Sequence, residues 1–240
     1  MAKQTDAPDT IMFVGAHHDD NELMAGTMAL HLEAGWRVVS VVVTNGRWGR
    51  GTVCDENIEI RNDESRAAAK LLGIVPVFLE FREAGFRNTP EAADAIVAQI
   101  LKYQPRVIVT HPPLDYHFDH MQTSACVYDA SYLCLTAMGL ERRLPHAPRL
   151  YYCDAWFVPF EPDVYVDVST FKTLKQQALT AHTSQLPDDG RVAKGRFEDT
   201  MIEHELVRAR YRGIEAGCQL AEAYRADRKL ANVRMAPLLS

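Results

Sequence analysis

The chain is poor in cysteine, has no long apolar run and carries no excess of positive charge. Its five cysteines, Cys54, Cys126, Cys134, Cys153 and Cys218, are odd in number and scattered, with no Cys-x-x-Cys. Neither a disulfide framework nor a cysteine-built zinc site follows. Most sit among apolar residues and are expected to be buried thiols; with no secretory leader pattern, they point to a reducing cytoplasm. No apolar run approaches the ~18 residues of a membrane span, so no membrane partner is expected. The net charge is −6, and no block of five like charges occurs. Arg47, Arg50 and Arg61 stand singly, and no nucleic-acid partner is expected. The turn after the first apolar run also lacks Gly-x-Gly-x-x-Gly. It reads His17-His18-Asp19-Asp20, whose carboxylates would repel a pyrophosphate, so a dinucleotide is not expected there.

What is present is an ordinary globular composition, 47% hydrophobic and 24% charged over 240 residues. One domain over 1–240 is expected, with its core over about 11–225 and no repeat or internal boundary. Strand and helix signals alternate. Strands are expected over 11–16, 37–44, 75–81 and 106–110, with helices over 22–34, 57–72, from Pro90 (capped by Thr89) to about 103, and from Asp119 to about 138. Gly35 and Gly73 stop the first two helices. Extended runs over 150–157 and 164–168, a helix after Ser169 and another over about 199–216 follow. The stretch 184–196 is rich in Gly, Pro and charge and reads as a mobile loop. Apolar strands separated by helices predict an α/β fold, a Rossmann-like three-layer αβα sandwich with a mostly parallel sheet. In such sheets ligands bind beyond the carboxyl ends of the strands.

Two polar clusters fall at those ends: Ala16-His17-His18-Asp19-Asp20-Asn21-Glu22 after the first strand, and His111 to His120 after the fourth. Five of the nine histidines lie in these two segments. His17 and Asp20 are three residues apart around a tight turn and can face one point, which His120 can reach from the fourth strand's end. Two imidazoles and one carboxylate suit a single divalent zinc ion with an open coordination position, and such an ion lowers the pKa of its water towards ~7. Iron, cobalt or nickel fits the same donors. Asp19, beside a ligand, is a candidate general base. His117 is a candidate stabiliser of an oxyanion as imidazolium, with Asp119 or Asp115 to orient it or raise its pKa. Arg61, Asp115 and His18 are candidates for substrate contact. For His18 a fourth ligand position or simple packing is also open, and His111 is a candidate hydrogen-bond partner behind the ligands.

These residues resemble the PIG-L/LmbE-like deacetylases, zinc-dependent N-acetylglucosaminyl deacetylases and related amidases. The family's Ala-His-Pro-Asp-Asp-Glu appears as Ala16-His17-His18-Asp19-Asp20-Asn21-Glu22, with His18 at the proline. Its Pro-x-Asp-x-His-x-Asp-His runs without a gap from Pro113 to His120. Arg61-Asn62-Asp63-Glu64, His182-Thr183-Ser184-Gln185 and Ala221-Glu222-Ala223-Tyr224 resemble three further segments, and Glu83 stands where an aspartate is frequent. The resemblance implies a Rossmann-like fold and removal of an acetyl group from an amino-sugar substrate. By motif position it implies one zinc on His17, Asp20 and His120, Asp19 as base and His117 as oxyanion stabiliser or acid. The implied partner is a small N-acyl amino sugar or conjugate, and a homo-oligomer is open. An amidase on another N-acyl or thiol-conjugate substrate, or a non-catalytic metal- or sugar-binding protein on the same fold, are the alternatives.

Overall fold

The computed structural model describes residues 8–49, 51–136, 144–186 and 201–231. The elements in chain order are β1 (Thr10–Gly15), α1 (Ala25–Glu33), β2 (Arg37–Thr44), β3 (Trp48–Gly49), β4 (Thr52–Val53), α2 (Glu56–Leu72), β5 (Val75–Phe81), α3 (Pro90–Tyr103), β6 (Val107–Thr110), α4 (Phe118–Thr136), β7 (Arg149–Cys153), β8 (Val164–Asp167), α5 (Lys172–Thr180), α6 (Met201–Ala216), β9 (Ala221–Ala226) and α7 (Arg228–Ala231). Thr89 caps α3 by accepting from the Ala92 N–H, and Gly73 ends α2 in the left-handed conformation. A short 3-10 turn over Asn21–Met24 precedes α1, so the α-helix starts three residues later than its spacing suggests. Most of the segment 184–196 lies outside the described residues.

The main sheet has the order β5-β2-β1-β6-β7-β9-β8. β5, β2, β1, β6 and β7 pair in parallel, and β9 runs antiparallel between β7 and β8. The sheet is therefore mostly parallel. Its central strands are buried on both faces because alternate residues feed two cores. Met12, Val14, Val39 and Val41 pack under Ile96, Ile100 and Val127 of α3 and α4. Ile11, Phe13 and Val38 pack under Met28, Ala69 and Ala178 of α1, α2 and α5. This is the three-layer arrangement expected from the unbroken apolar strands. Cys126, Cys134 and Cys153 are buried free thiols, while Cys54 and Cys218 are partly exposed. The chain turns from β2 and β5 on one side of β1 to β6 on the other, so a switch-point crevice opens between β1 and β6.

One buried charged cluster ties the second half of the sheet to this crevice. Lys175 of α5 reaches Glu222 at 2.6 Å and Glu205 at 2.9 Å, and donates to the carbonyl of Leu23 in the turn after β1. Glu222 also accepts from the Gly26 and Thr27 N–H groups at the start of α1. Lys175→Met is expected to cost about 3–5 kcal/mol, because removing one partner leaves buried carboxylates uncompensated. Burial alone would raise the Glu222 pKa, but Lys175 together with the Thr27 hydrogen bonds outweighs it and the net shift is downward from 4.5. Glu222 therefore contributes stability above that value, and the contribution is lost as pH falls through the lower folded-state pKa. Urea unfolding near neutral pH and again well below pH 4.5 should show the cost of Lys175→Met shrinking in acid. A constant difference between the two conditions would show that the cluster is not coupled in this way.

Candidate active site

The site is built at the carboxyl ends of β1 and β6. A Cβ on Gly15 would lie 2.8 Å from the Asp20 Cβ and 2.9 Å from Asn21 Oδ1, so only glycine lets the chain fold back this tightly. In the turn that follows, the His17 N–H donates to Asp20 Oδ2 at 2.6 Å. His17 Nδ1 then lies 3.1 Å from His120 Nε2. Asp20 presents Oδ2 to His17 Nδ1 and Oδ1 to His120 Nε2, each at 3.4 Å. All three side chains are buried. Donor atoms about 2.0–2.1 Å from a tetrahedral zinc ion are separated by about 3.3–3.4 Å, so the spacing fits one such ion.

The other ring nitrogens fix the chemistry of this point. His17 Nε2 meets Asp119 Oδ2 at 3.3 Å, and His120 Nδ1 meets Asp115 Oδ1 at 3.0 Å. A carboxylate accepts only, so the outer nitrogens donate to Asp119 and Asp115, which leaves the inner nitrogens free to ligate a cation that displaces their protons. Carboxylate-backed histidines are the usual outer shell of a metal site. Charge agrees with geometry. Burial lowers the pKa of His17, yet Asp20, Asp119 and Glu83 raise it to about 10; burial likewise opposes His120, yet Asp20 and Asp115 raise it to about 9. The surrounding carboxylates thus call for positive charge at this point.

Two overlapping triplets, His17/His117/His120 and Asp20/His111/His120, also bring donor atoms within 4.8 Å of one another. Both are weaker as ligand sets, because one backbone N–H occupies a ring nitrogen of the added histidine in each. The Ala16 N–H donates to His111 Nε2, and the Asp119 N–H donates to His117 Nδ1. His111 instead stacks on His120, with ring centroids 3.9 Å apart, and its Nε2 lies 3.0 Å from Asp20 Oδ2.

Asp19 sits beside the triplet on the wall of a cavity of about 310 Å³. Arg61 donates to Asp19 Oδ1 at 2.6 Å, to the Trp48 carbonyl at 2.9 Å and to Glu83 Oε1 at 3.2 Å. Burial would raise the Asp19 pKa, but Arg61, with His182 and His17, more than offsets it and the net shift is downward, so the carboxyl stays ionised. Among the described residues nothing hydrogen-bonds Asp19 Oδ2, which is left to the cavity. Arg61 reaches the cavity floor, yet its hydrogen bonds run to protein groups.

Three sequence expectations need correction, for His18, Asp119 and His117. His18 does not touch the cavity: it is fully buried, bonded to Asn62 Oδ1 at 2.8 Å and stacked on Phe78. Asp115 lines the cavity and also backs His120 and accepts the His117 N–H. Asp119 orients His17, not His117. It is fully enclosed because the loop after β5 turns three N–H groups, of Ala84, Gly85 and Phe86, onto its carboxylate. Ala84 takes a left-handed φ of 57° to do so. Finally, His117 is not an imidazolium. The N–H at its Nδ1 requires a lone pair there, and burial together with His17 and His120 lowers its pKa to about 4. It is a neutral donor through Nε2–H.

Sequence reasoning missed several parts of the cavity: Trp48, Tyr116, Trp156, Gln185 and Arg208. Trp48, Tyr116 and Gln185 carry usable signals, since the first follows the carboxyl end of β2, the second lies within the segment from Pro113 to His120 and the third lies in the late His-x-Ser-Gln segment. Glu64 of α2 clamps that segment by accepting from Thr183 Oγ1, the Ser184 N–H and Ser184 Oγ, all at 2.7 Å.

Fold and site together define an α/β protein with a carboxylate-backed histidine centre open to a cavity at the sheet's switch point. The family model described as PIG-L, GlcNAc-PI de-N-acetylase, matches residues 12–131, and the chain belongs to this family. It is 27% identical over 195 residues to the diacetylchitobiose deacetylase of Thermococcus kodakarensis, covering 75% of this chain and 71% of that one. It is 23% identical over 193 residues to the 4-oxalmesaconate hydratase of Pseudomonas putida, covering 72% and 73%. The solved N,N'-diacetylchitobiose deacetylase of Pyrococcus horikoshii shares the fold, with a TM-score of 0.80 at 21% identity over 97% of this chain and 88% of that one. No helix among the described residues is long and apolar enough to cross a membrane.

Proposed function

We propose that this protein hydrolyses the N-acetyl amide of a small amino-sugar-containing molecule, with one divalent metal, zinc by its donor set, on His17, Asp20 and His120. The observation that carries this reading is the pair of carboxylate-backed ring nitrogens of His17 and His120, 3.1 Å apart, with ionised Asp19 beside them. Deacetylases among the chain's relatives support the amide as substrate. A hydratase relative means that membership alone does not set the reaction.

When bound, the metal supplies Lewis acidity to the amide carbonyl and lowers the pKa of the attacking water. Asp19 Oδ2 takes the proton that water loses as its oxygen bonds to the carbonyl carbon. His117 donates its Nε2–H to the oxygen on which negative charge develops. Asp19 then returns the proton to the leaving nitrogen as the C–N bond breaks, giving acetate and a free amine. Arg61 and Glu83 hold Asp19 in place through this exchange, and Asp115 and Asp119 hold the two histidines.

The test is acetate release from a panel of N-acetylated amino sugars, before and after treatment with a chelator. Acetate is expected from at least one member, with activity lost to the chelator and restored by zinc. Metal-replete protein that releases no acetate from the panel would remove the reading.

A further inference from the structure

A second cavity, of about 720 Å³, lies between α4, the loop after β7 and the turn from β9 into α7. That volume is in the range of small-molecule sites. The cavity shares no lining residue with the one around His17 and His120. Pro113 on its wall stands two residues before Asp115, and Ser124 stands one helical turn after His120.

The wall holds a cation without a partner. Arg225 of β9 is paired across the sheet with Tyr152 of β7, so the two side chains share a face. The guanidinium lies 6.0 Å from the centre of the Tyr152 ring and 5.3 Å from that of Phe160. Both rings are buried, and the Tyr152 hydroxyl donates to Asp227 Oδ2 at 2.8 Å, so the floor beneath the cation is fixed. Among the described residues nothing accepts a hydrogen bond from the Arg225 side chain or pairs with its charge. Two other partly buried arginines differ: Arg208 and Arg212 each donate to a carboxylate and to a backbone carbonyl. A guanidinium held over rings with its N–H groups unused fits the two oxygens of a carboxylate or phosphate.

The rest of the wall decides the charge of such a ligand. Asp227 accepts from the Lys229 and Leu230 N–H groups as well as from Tyr152. Asp163 accepts from the Ala226 N–H and faces Arg228 at 3.4 Å, and Asp129 accepts from Asn88. With Glu161 these carboxylates number four, against three cations, Arg225, Arg228 and Lys229. A dianion would be repelled by that excess, whereas one negative charge is matched by Arg225 alone. Pro113, Tyr128 and Pro162 give the wall apolar surface.

We propose that this cavity binds a small monocarboxylate with an apolar body, its carboxylate paired with Arg225. The site is separate from the hydrolytic one and does not depend on that reading.

The probes are benzoate, benzyl alcohol and phenyl phosphate, titrated calorimetrically into the metal-loaded protein. Benzoate is expected to bind about tenfold or more tightly than either of the others, the range of one paired, hydrogen-bonded charge. Arg225→Gln removes the charge and should weaken benzoate by about tenfold or more. Arg225→Lys keeps the charge without the fork and should fall between. Benzoate held at the histidine centre instead would bind both variants as it binds wild type. Equal benzoate affinity in wild type and Arg225→Gln would therefore overturn the site. So would wild-type protein that binds benzoate no better than benzyl alcohol, a comparison that needs no variant. Phenyl phosphate bound more tightly than benzoate, with the same dependence on Arg225, would overturn the monocarboxylate.

Discussion

Asp19→Asn is expected to keep its metal and its fold and to lose about 10²- to 10⁴-fold in kcat, the usual cost of removing a general base. The substitution is nearly isosteric. The amide oxygen can still accept from Arg61, so the 2.6 Å contact that holds the side chain survives. What disappears is the ability of the second oxygen to take a proton. Proton transfer belongs to the transition state, so the loss should fall on kcat and leave KM little changed. A ligand at position 19 would behave differently, because its replacement would release metal. The paired measurement is metal content and kcat for the purified variant beside wild type. Full metal with near wild-type kcat would take Asp19 out of the mechanism.

His120→Ala should bring bound metal to a small fraction of the wild-type content and activity to background. The variant removes the inward nitrogen Nε2 and leaves the Asp115 carboxylate without its imidazole partner. Asp115→Asn gives a graded form of the same test. The amide no longer favours the tautomer that turns Nε2 inward, and the loss of such a backing carboxylate typically costs 10–100-fold in metal affinity. The two variants should rank wild type, Asp115→Asn, His120→Ala in retained metal after dialysis against a weak chelator. If the three proteins retain the same metal content, the His17/Asp20/His120 assignment is lost.

Much of the fold is legible in the sequence because its central strands are buried on both faces, and burial on both faces leaves an unbroken apolar run such as Val38 to Val43. β9 escapes this reading for the same reason. Its inward residue Glu222 is a carboxylate, tolerated only because Lys175, 47 residues away, meets it there. No local pattern announces such a strand. The two-residue strands of the β3–β4 hairpin are too short to show any period at all.

The same division runs through the site. Short spacings determined which residue types gather: His17 with Asp20 around a turn that Gly15 permits, and Asp115, His117, Asp119 and His120 around the start of α4. Strand order alone then brought the two groups to one crevice. Only the tertiary structure decided which partner each ring nitrogen takes. Asp119 faces His17 because N–H groups 33–35 residues earlier hold its carboxylate, and His18 is buried because Asn62 and Phe78 enclose it. Tyr116 likewise meets Phe157 edge-on from a separate loop. Spacing along the chain determines what a segment of a few residues can present. The direction of a lone pair, the tautomer of an imidazole and the exposure of a ring depend on neighbours that only long-range packing supplies.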